Sequence, residues 1–161
     1  IEVHPLTIKQ ERIELLNSHL CLVFTGFQRF AKDIEKEKIA RIRMNIDRLA
    51  KIKGYVSQAV SILNSSEDIC EFGGLLNDMW NEKKMLSEAV SDERVDVLYR
   101  LGMENGALGG KLLGAGGGGF MLFFVPPEKK AELKRVLKGY VHVPFQFENT
   151  GSQVIYYKPE V

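Results

Sequence analysis

The sequence predicts an α+β fold, a mostly antiparallel four-stranded sheet with helices packed on one face. Three observations predict it. Short apolar runs with strand character stand near the start, near residue 120 and at the end of the chain. The long middle instead carries apolar residues three and four apart, the helical spacing. No internal repeat, low-complexity segment or linker divides the 161 residues, a length that suits one domain able to fold without disulfides or metal.

The first strand is read at Leu20 to Thr25, LCLVFT, closed by Gly26. From about Gln28 to Lys51 the period changes, and Ile39, Ile42, Ile46 and Leu49 form a stripe expected to lie in the core of a long amphipathic helix. Lys36, Lys38, Arg41, Arg43 and Arg48 occupy its other faces. They are mixed with Asp33, Glu35, Glu37 and Asp47, the pattern of a solvated face rather than a nucleic-acid patch. Gly54 is expected to break the helix, with a shorter one from about Tyr55 to Leu63. Asn64-Ser-Ser-Glu-Asp then reads as a helix start, placing small polar caps and acids where the helix dipole favours negative charge.

The next helix is expected from about Ile69 to Leu86, weakened at Gly73-Gly74. Ser91-Asp-Glu caps another, with Val95, Leu98 and Leu101 inward, extending to about Glu104. A glycine-rich segment leads into the apolar run MLFFV at 121–125, read as a buried strand. Pro126-Pro127-Glu opens a helix that Gly139 stops. Val141, Val143, Phe145 and Phe147 alternate with polar residues as a strand, and Pro144 marks it as an edge. After a turn at Asn149-Thr-Gly-Ser, QVIYY at 153–157 is expected as the last strand.

Composition narrows the function. An apolar fraction of 45% and a charged fraction of 27% are those of an ordinary globular protein. A net charge of +1 supplies no global field to draw the chain to nucleic acid or to an anionic membrane. No apolar run approaches the ~18 residues of a membrane span, and no signal peptide is visible, so a cytoplasmic location is expected. Cys21 and Cys70 are far apart and read as reduced core thiols. His4, His19 and His142 are scattered without ligand spacing, so no metal site is expected.

The chemistry concentrates in GALGGKLLGAGGGGF, residues 106–120, where nine of the fifteen glycines fall between Gly102 and Gly119. One reading is a tight loop between a helix and a strand. The other is that residues without Cβ let backbone N–H groups approach a ligand, forming a concave nest for an anion. Four glycines in succession exceed what a turn needs, which favours a phosphate-contacting or loop-supporting role. The segment is not a Walker A loop, because Lys111 precedes the glycines and Phe120 follows them. Nor is it a dinucleotide fingerprint, whose glycines follow a strand and open a helix.

Lys111, Gly114-Ala115-Gly116-Gly117-Gly118-Gly119 and the apolar strand after them resemble the third signature motif of the GHMP kinases, the family of galactokinase, homoserine kinase and mevalonate kinase. FTG-x-x-R at Phe24, Thr25, Gly26 and Arg29, LLNDMWNEKKMLS at 75–87, and LGMENGALGGKLLGAGGGGFMLFFVPPEKK at 101–130 resemble one branch. That branch comprises sugar 1-kinases acting on D-glycero-D-manno-heptose 7-phosphate. The resemblance covers most of Leu20 to Lys130.

It implies that residues 1–161 form the carboxyl-terminal domain of an ATP- and magnesium-dependent kinase whose partners are a small sugar phosphate, ATP and its own amino-terminal domain. Nucleotide-activated heptose for cell-surface glycans would be the destination of the product. That other domain would carry the loop Pro-x-x-x-Gly-Leu-Gly-Ser-Ser-Ala around the ATP phosphates, the acidic base and the magnesium ligand. Neither that motif nor an initial methionine is present in this sequence, so truncation is expected, with no catalytic residue here and no turnover by this chain alone.

The resemblance also places Gly114 to Gly119 against the nucleotide loop and beside the transferred phosphate. Arg29, at the start of a helix, could grip a phosphate bidentately or be a plain surface charge. Trp80 and Lys84 stand four apart, and with Lys83 they could wall a sugar phosphate. Equally, Trp80 could be a core residue with two solvated lysines beside it. Lys111 joins the substrate-binding candidates. Other readings are a galactose, fucose or mevalonate type of GHMP kinase, or a non-catalytic α+β module that binds an anion or a partner protein.

Overall fold

The computed structural model describes residues 5–27, 31–148 and 151–157. In chain order its elements are α1 (Gln10–His19), β1 (Leu20–Phe24), α2 (Ala31–Ala40), a 3₁₀ segment (Ile42–Asn45) and α3 (Ile46–Asn64). There follow α4 (Glu71–Lys84), a 3₁₀ turn (Glu88–Val90), α5 (Glu93–Glu104), β2 (Gly109–Leu112), β3 (Phe120–Phe124), a 3₁₀ turn (Pro127–Lys129), α6 (Lys130–Val136) and β4 (Val141–Val143). No helix among the described residues is long and apolar enough to cross a membrane.

The strands form one four-stranded antiparallel sheet in the order β2-β3-β1-β4. β1 and β3, both apolar along their length, pair over all five residues from Leu20↔Phe124 to Phe24↔Phe120. Successive strand residues point to opposite faces, so each central strand supplies two cores. Cys21, Val23, Met121 and Phe123 join Val95, Leu98 and Tyr99 of α5 and Leu133 of α6 in one apolar cluster. Leu20 and Phe124 join Leu16 of α1, Ile62 of α3 and Leu76 of α4 in another. Each fully enclosed side chain of this size contributes roughly 1.5–3 kcal/mol.

The α+β class and the four-stranded antiparallel sheet are as expected, but the helical cover extends to both faces, because Phe123 and Phe124 each need a partner layer. Membership of the sheet also differs. The fourth strand is β2, inside the glycine-rich segment, where a side chain would obstruct packing: a Cβ on Gly109 would lie 1.9 Å from the Gly73 carbonyl oxygen of α4. The expected strand at 153–157 is not one, and Val154 and Ile155 are 84% and 96% exposed. With β2 and β4 as the two edges, β4 ends at Val143 before Pro144, which cannot donate to a ladder.

α1 has no counterpart among the expected elements. The expected long helix is two, parted by the 3₁₀ segment, and α3 continues through Gly54 because tertiary contacts outweigh the ~1 kcal/mol cost of a helical glycine. The Ile39, Ile42, Ile46 and Leu49 stripe is exposed rather than core, while Ile34, Tyr55 and Ile62 are the buried apolar residues described in this region. The 3₁₀ segment at Ile42–Asn45 interrupts the 3.6-residue period between the two helices, so a stripe continuous in sequence has no single helical face to present. Asp92 caps α5 as expected, accepting a hydrogen bond from the Val95 N–H at 3.1 Å. Cys21 is buried and Cys70 half-buried, and both are free thiols.

Candidate functional site: the glycine loop between β2 and β3

β2 and β3 pair up to Leu112↔Met121, and the Leu113 N–H donates to the Phe120 carbonyl at 2.8 Å, closing the loop 113–119. Gly114, Gly116, Gly117, Gly118 and Gly119 have φ of +71°, +118°, +73°, +143° and +99°, backbone that side chains strongly disfavour. No non-glycine residue among those described has positive φ. Close approach adds a second requirement. A Cβ on Gly116 would come within 2.8 Å of the Val90 backbone, and one on Gly118 within 2.9 Å of the Phe27 carbonyl oxygen and ring.

Three separate elements hold the loop. The Gly117 N–H donates to the Val90 carbonyl at 2.8 Å. The Gly119 N–H donates to the Phe27 carbonyl at 2.8 Å and to Thr25 Oγ1 at 3.1 Å, while the Gly119 carbonyl accepts from the Thr25 N–H at 2.8 Å. Thr25 Oγ1 in turn donates to the Phe27 carbonyl at 3.0 Å. From α4, Lys83 Nζ donates to the carbonyls of Leu112 at 3.0 Å and Gly114 at 2.6 Å. The loop is therefore a braced, glycine-specified surface, and at least two of its amides serve the protein's own framework.

Its surroundings are cationic. Burial, with Lys111 and Lys38 nearby, pulls Lys83 down to about 8 against a smaller opposing effect of Glu35. Burial likewise lowers Lys111, whose Nζ lies 3.9 Å from the Met79 sulfur. Lys84 pairs with Asp96 at 3.7 Å and lies 5.9 Å and 5.6 Å from the Trp80 and Tyr99 ring centroids. Behind the loop, Arg94 stacks its guanidinium 3.6 Å from the Phe27 ring centroid and pairs with Asp92 at 2.8 Å. Two of these cations, Lys84 and Arg94, are paired with carboxylates, and Lys83 is bound to backbone carbonyls.

The expected site residues are only partly brought together. Gly114 to Gly119, Lys83 and Lys111 share this end of the sheet, but Lys83 faces the loop's carbonyls rather than open solvent. Trp80 is wholly buried, its ring 6.2 Å from that of Tyr99, so of its two readings the core residue is the one its position matches. The physical reason is position: α4 packs directly on β2, which turns Trp80 inward. Arg29 lies outside the described residues, as does His4. Sequence reasoning missed Val90 and Phe27. Val90 leaves no side-chain signal, because the loop uses only its backbone, whereas Phe27 sits inside the FTG-x-x-R stretch.

Known proteins resemble this chain. Residues 59–142 match the family model described as GHMP kinases C terminal. Over 154 residues the chain is 36% identical to the D-glycero-alpha-D-manno-heptose 7-phosphate kinase of Campylobacter jejuni, a match covering 92% of this chain and 45% of that protein. The crystal structure of a D-glycero-D-manno-heptose 1-phosphate kinase from Bacteroides thetaiotaomicron is similar with a TM-score of 0.63 at 28% identity, over 91% of this chain and 38% of that one. L. major mevalonate kinase in complex with R-mevalonate has a TM-score of 0.65 over 74% of this chain and 37% of its own, a likeness of fold at 22% identity. The chain thus spans less than half the length of the curated relative it matches.

Proposed function

Because this chain belongs to the GHMP kinases, as a carboxyl-terminal domain of that family, we propose that it is the second domain of an ATP-dependent sugar kinase acting on D-glycero-D-manno-heptose 7-phosphate at the anomeric hydroxyl. The observation that carries the reading is the glycine loop 113–119, held on three sides in a conformation that only glycine adopts readily. The 36% identity to a heptose 7-phosphate kinase supports the choice of sugar.

In the proposed reaction the anomeric oxygen attacks the γ-phosphorus of ATP and ADP leaves. The hydroxyl proton passes to an acidic group outside this chain. Such transfer rests on positioning and charge stabilisation, which a rigid loop among lysines is suited to supply. Gly114 to Gly119 would border the transferred phosphate, Lys111 would add positive charge, and Lys84 would do so less, being paired with Asp96. Arg29 stays a proposed phosphate contact.

Magnesium, when bound, would neutralise phosphate charge. Among the described residues no three His, Cys, Asp or Glu side chains cluster as a metal site. Its ligands, the nucleotide loop and the base are proposed to lie on an amino-terminal domain, and the partners are therefore ATP, a sugar phosphate and that domain.

The test is an assay of the complete protein with ATP across heptose 7-phosphate, heptose 1-phosphate, galactose, fucose and mevalonate. Formation of heptose 1,7-bisphosphate from the 7-phosphate is expected. Turnover of a different member of the panel would replace the substrate, and inactivity toward all of them would sink the kinase reading.

A further inference from the structure

Lys83 carries a role that neither a substrate contact nor a solvated lysine would explain. We infer that Lys83 is a positioning residue, a cationic clamp from the last turn of α4 that grips the start of the glycine loop and fixes where its amides point. Its Nζ donates to the Leu112 carbonyl, the last of β2, at 3.0 Å and to the Gly114 carbonyl, the first glycine of the loop, at 2.6 Å. Two of the ammonium's three protons are thus committed to the protein's own backbone.

The two carbonyls belong where the chain leaves the strand; the part-buried bond to Leu112 supplies the donor that its carbonyl needs, and the exposed bond to Gly114 extends the grip into the loop. The left-handed turn at Gly114, with φ +71°, and the ammonium together set the loop's entry angle. Burial beside Lys111 disfavours the charge, so a filler would be better uncharged. A cation on the carbonyl of the Gly114–Ala115 peptide unit also polarises that unit and strengthens its Ala115 N–H as a donor. Clamp and charge therefore act on the same backbone: Lys83 shapes the loop and makes it a better anion cradle.

The activity arm of the test rests on the kinase reading; the exchange arm does not. In the complete protein, Lys83→Met keeps the aliphatic stem and removes the donors and the charge, whereas Lys83→Arg keeps donors and charge. Amide hydrogen exchange over 113–119 is expected to speed up by about tenfold or more in Lys83→Met, with β1 and β3 unchanged, and to stay within about threefold of wild type in Lys83→Arg. Turnover should fall about tenfold in Lys83→Met with the sugar KM within about twofold, and Lys83→Arg should recover most of it.

Exchange in Lys83→Met within twofold of wild type would overturn the clamp, as would Lys83→Arg loosening the loop equally. A rise in sugar KM with exchange unchanged would return Lys83 to substrate contact. Should Lys83→Met fail to fold, Lys83→Gln against Lys83→Arg makes the same comparison. Loss of exchange protection in a protein inactive on every sugar would keep the clamp and discard the kinase.

Discussion

The glycine loop 113–119 and the ridge that runs from α2 through α3 are built in opposite ways. The loop has almost no side chains, yet Gly116 and Gly117 are buried and bonds from Thr25, Phe27, Val90 and Lys83 hold it. The ridge is rich in large apolar side chains, yet Ile39 is 63%, Ile42 46%, Met44 86% and Ile46 58% exposed. Close packing thus follows the availability of a facing surface, not the apolarity of the segment. Glycine lets backbone meet backbone; isoleucine without a partner stays at the surface.

The largest expected effect breaks the loop side of this contrast. Gly118→Val places a Cβ 2.9 Å from the Phe27 carbonyl oxygen at φ +143°, and should destabilise the protein by about 2 kcal/mol or more. Turnover of the complete kinase should fall about a hundredfold, the scale of a misplaced reacting group. Gly119→Ala, with nothing within 4 Å of its Cβ but a φ of +99°, should cost only about 1–2 kcal/mol. Denaturant midpoints for the pair would separate contact from backbone strain, and equal losses would show that conformation alone specifies the loop.

Next in size is a pH effect led by Lys83 on the loop side. Lys83 sits near 8 in the folded protein against an ordinary 10.5, so between those values the unfolded chain holds a proton that the folded one lacks. Stability should rise with pH across that window. Burial, with Asp78 nearby, pushes Tyr99 up from 10 to about 12, so above pH 10 the unfolded chain loses its proton first and stability should fall. Thermal midpoints from pH 7.5 to 11 should therefore pass through a maximum, and Lys83→Met should flatten the rising limb. An unchanged limb would show that Lys83 is solvated.

Smaller effects belong to the ridge. Gly54→Ala, with nothing within 4 Å of its Cβ, should stabilise α3 by about 0.5–1 kcal/mol, read as a higher denaturant midpoint. Ile42→Asp and Ile46→Asp should each shift stability by no more than about 0.5 kcal/mol. A loss near 2 kcal/mol from either would mean that the ridge is covered in solution and the contrast with the loop is not real.

Where the signal was local, the sequence was legible. The apolar runs of β1 and β3, the Asp92 cap of α5 and the glycine motif that marks the family could all be read from neighbouring residues. α1 has weak amphipathy, and β2 is written in Gly109-Gly110, which no strand pattern favours. The 153–157 run has strand composition but no partner strand among the described elements.

By itself the sequence determined the class of fold, the two central strands, the family and the place of the glycine loop, because those depend on residue types close together in the chain. Only the tertiary structure decided that Trp80 is core, that the ridge is bare and that Lys83 turns to the loop's carbonyls. Burial and hydrogen bonding are set by what lies opposite in space, such as Gly73 against Gly109 or Val90 against Gly117, and those partners are distant in sequence.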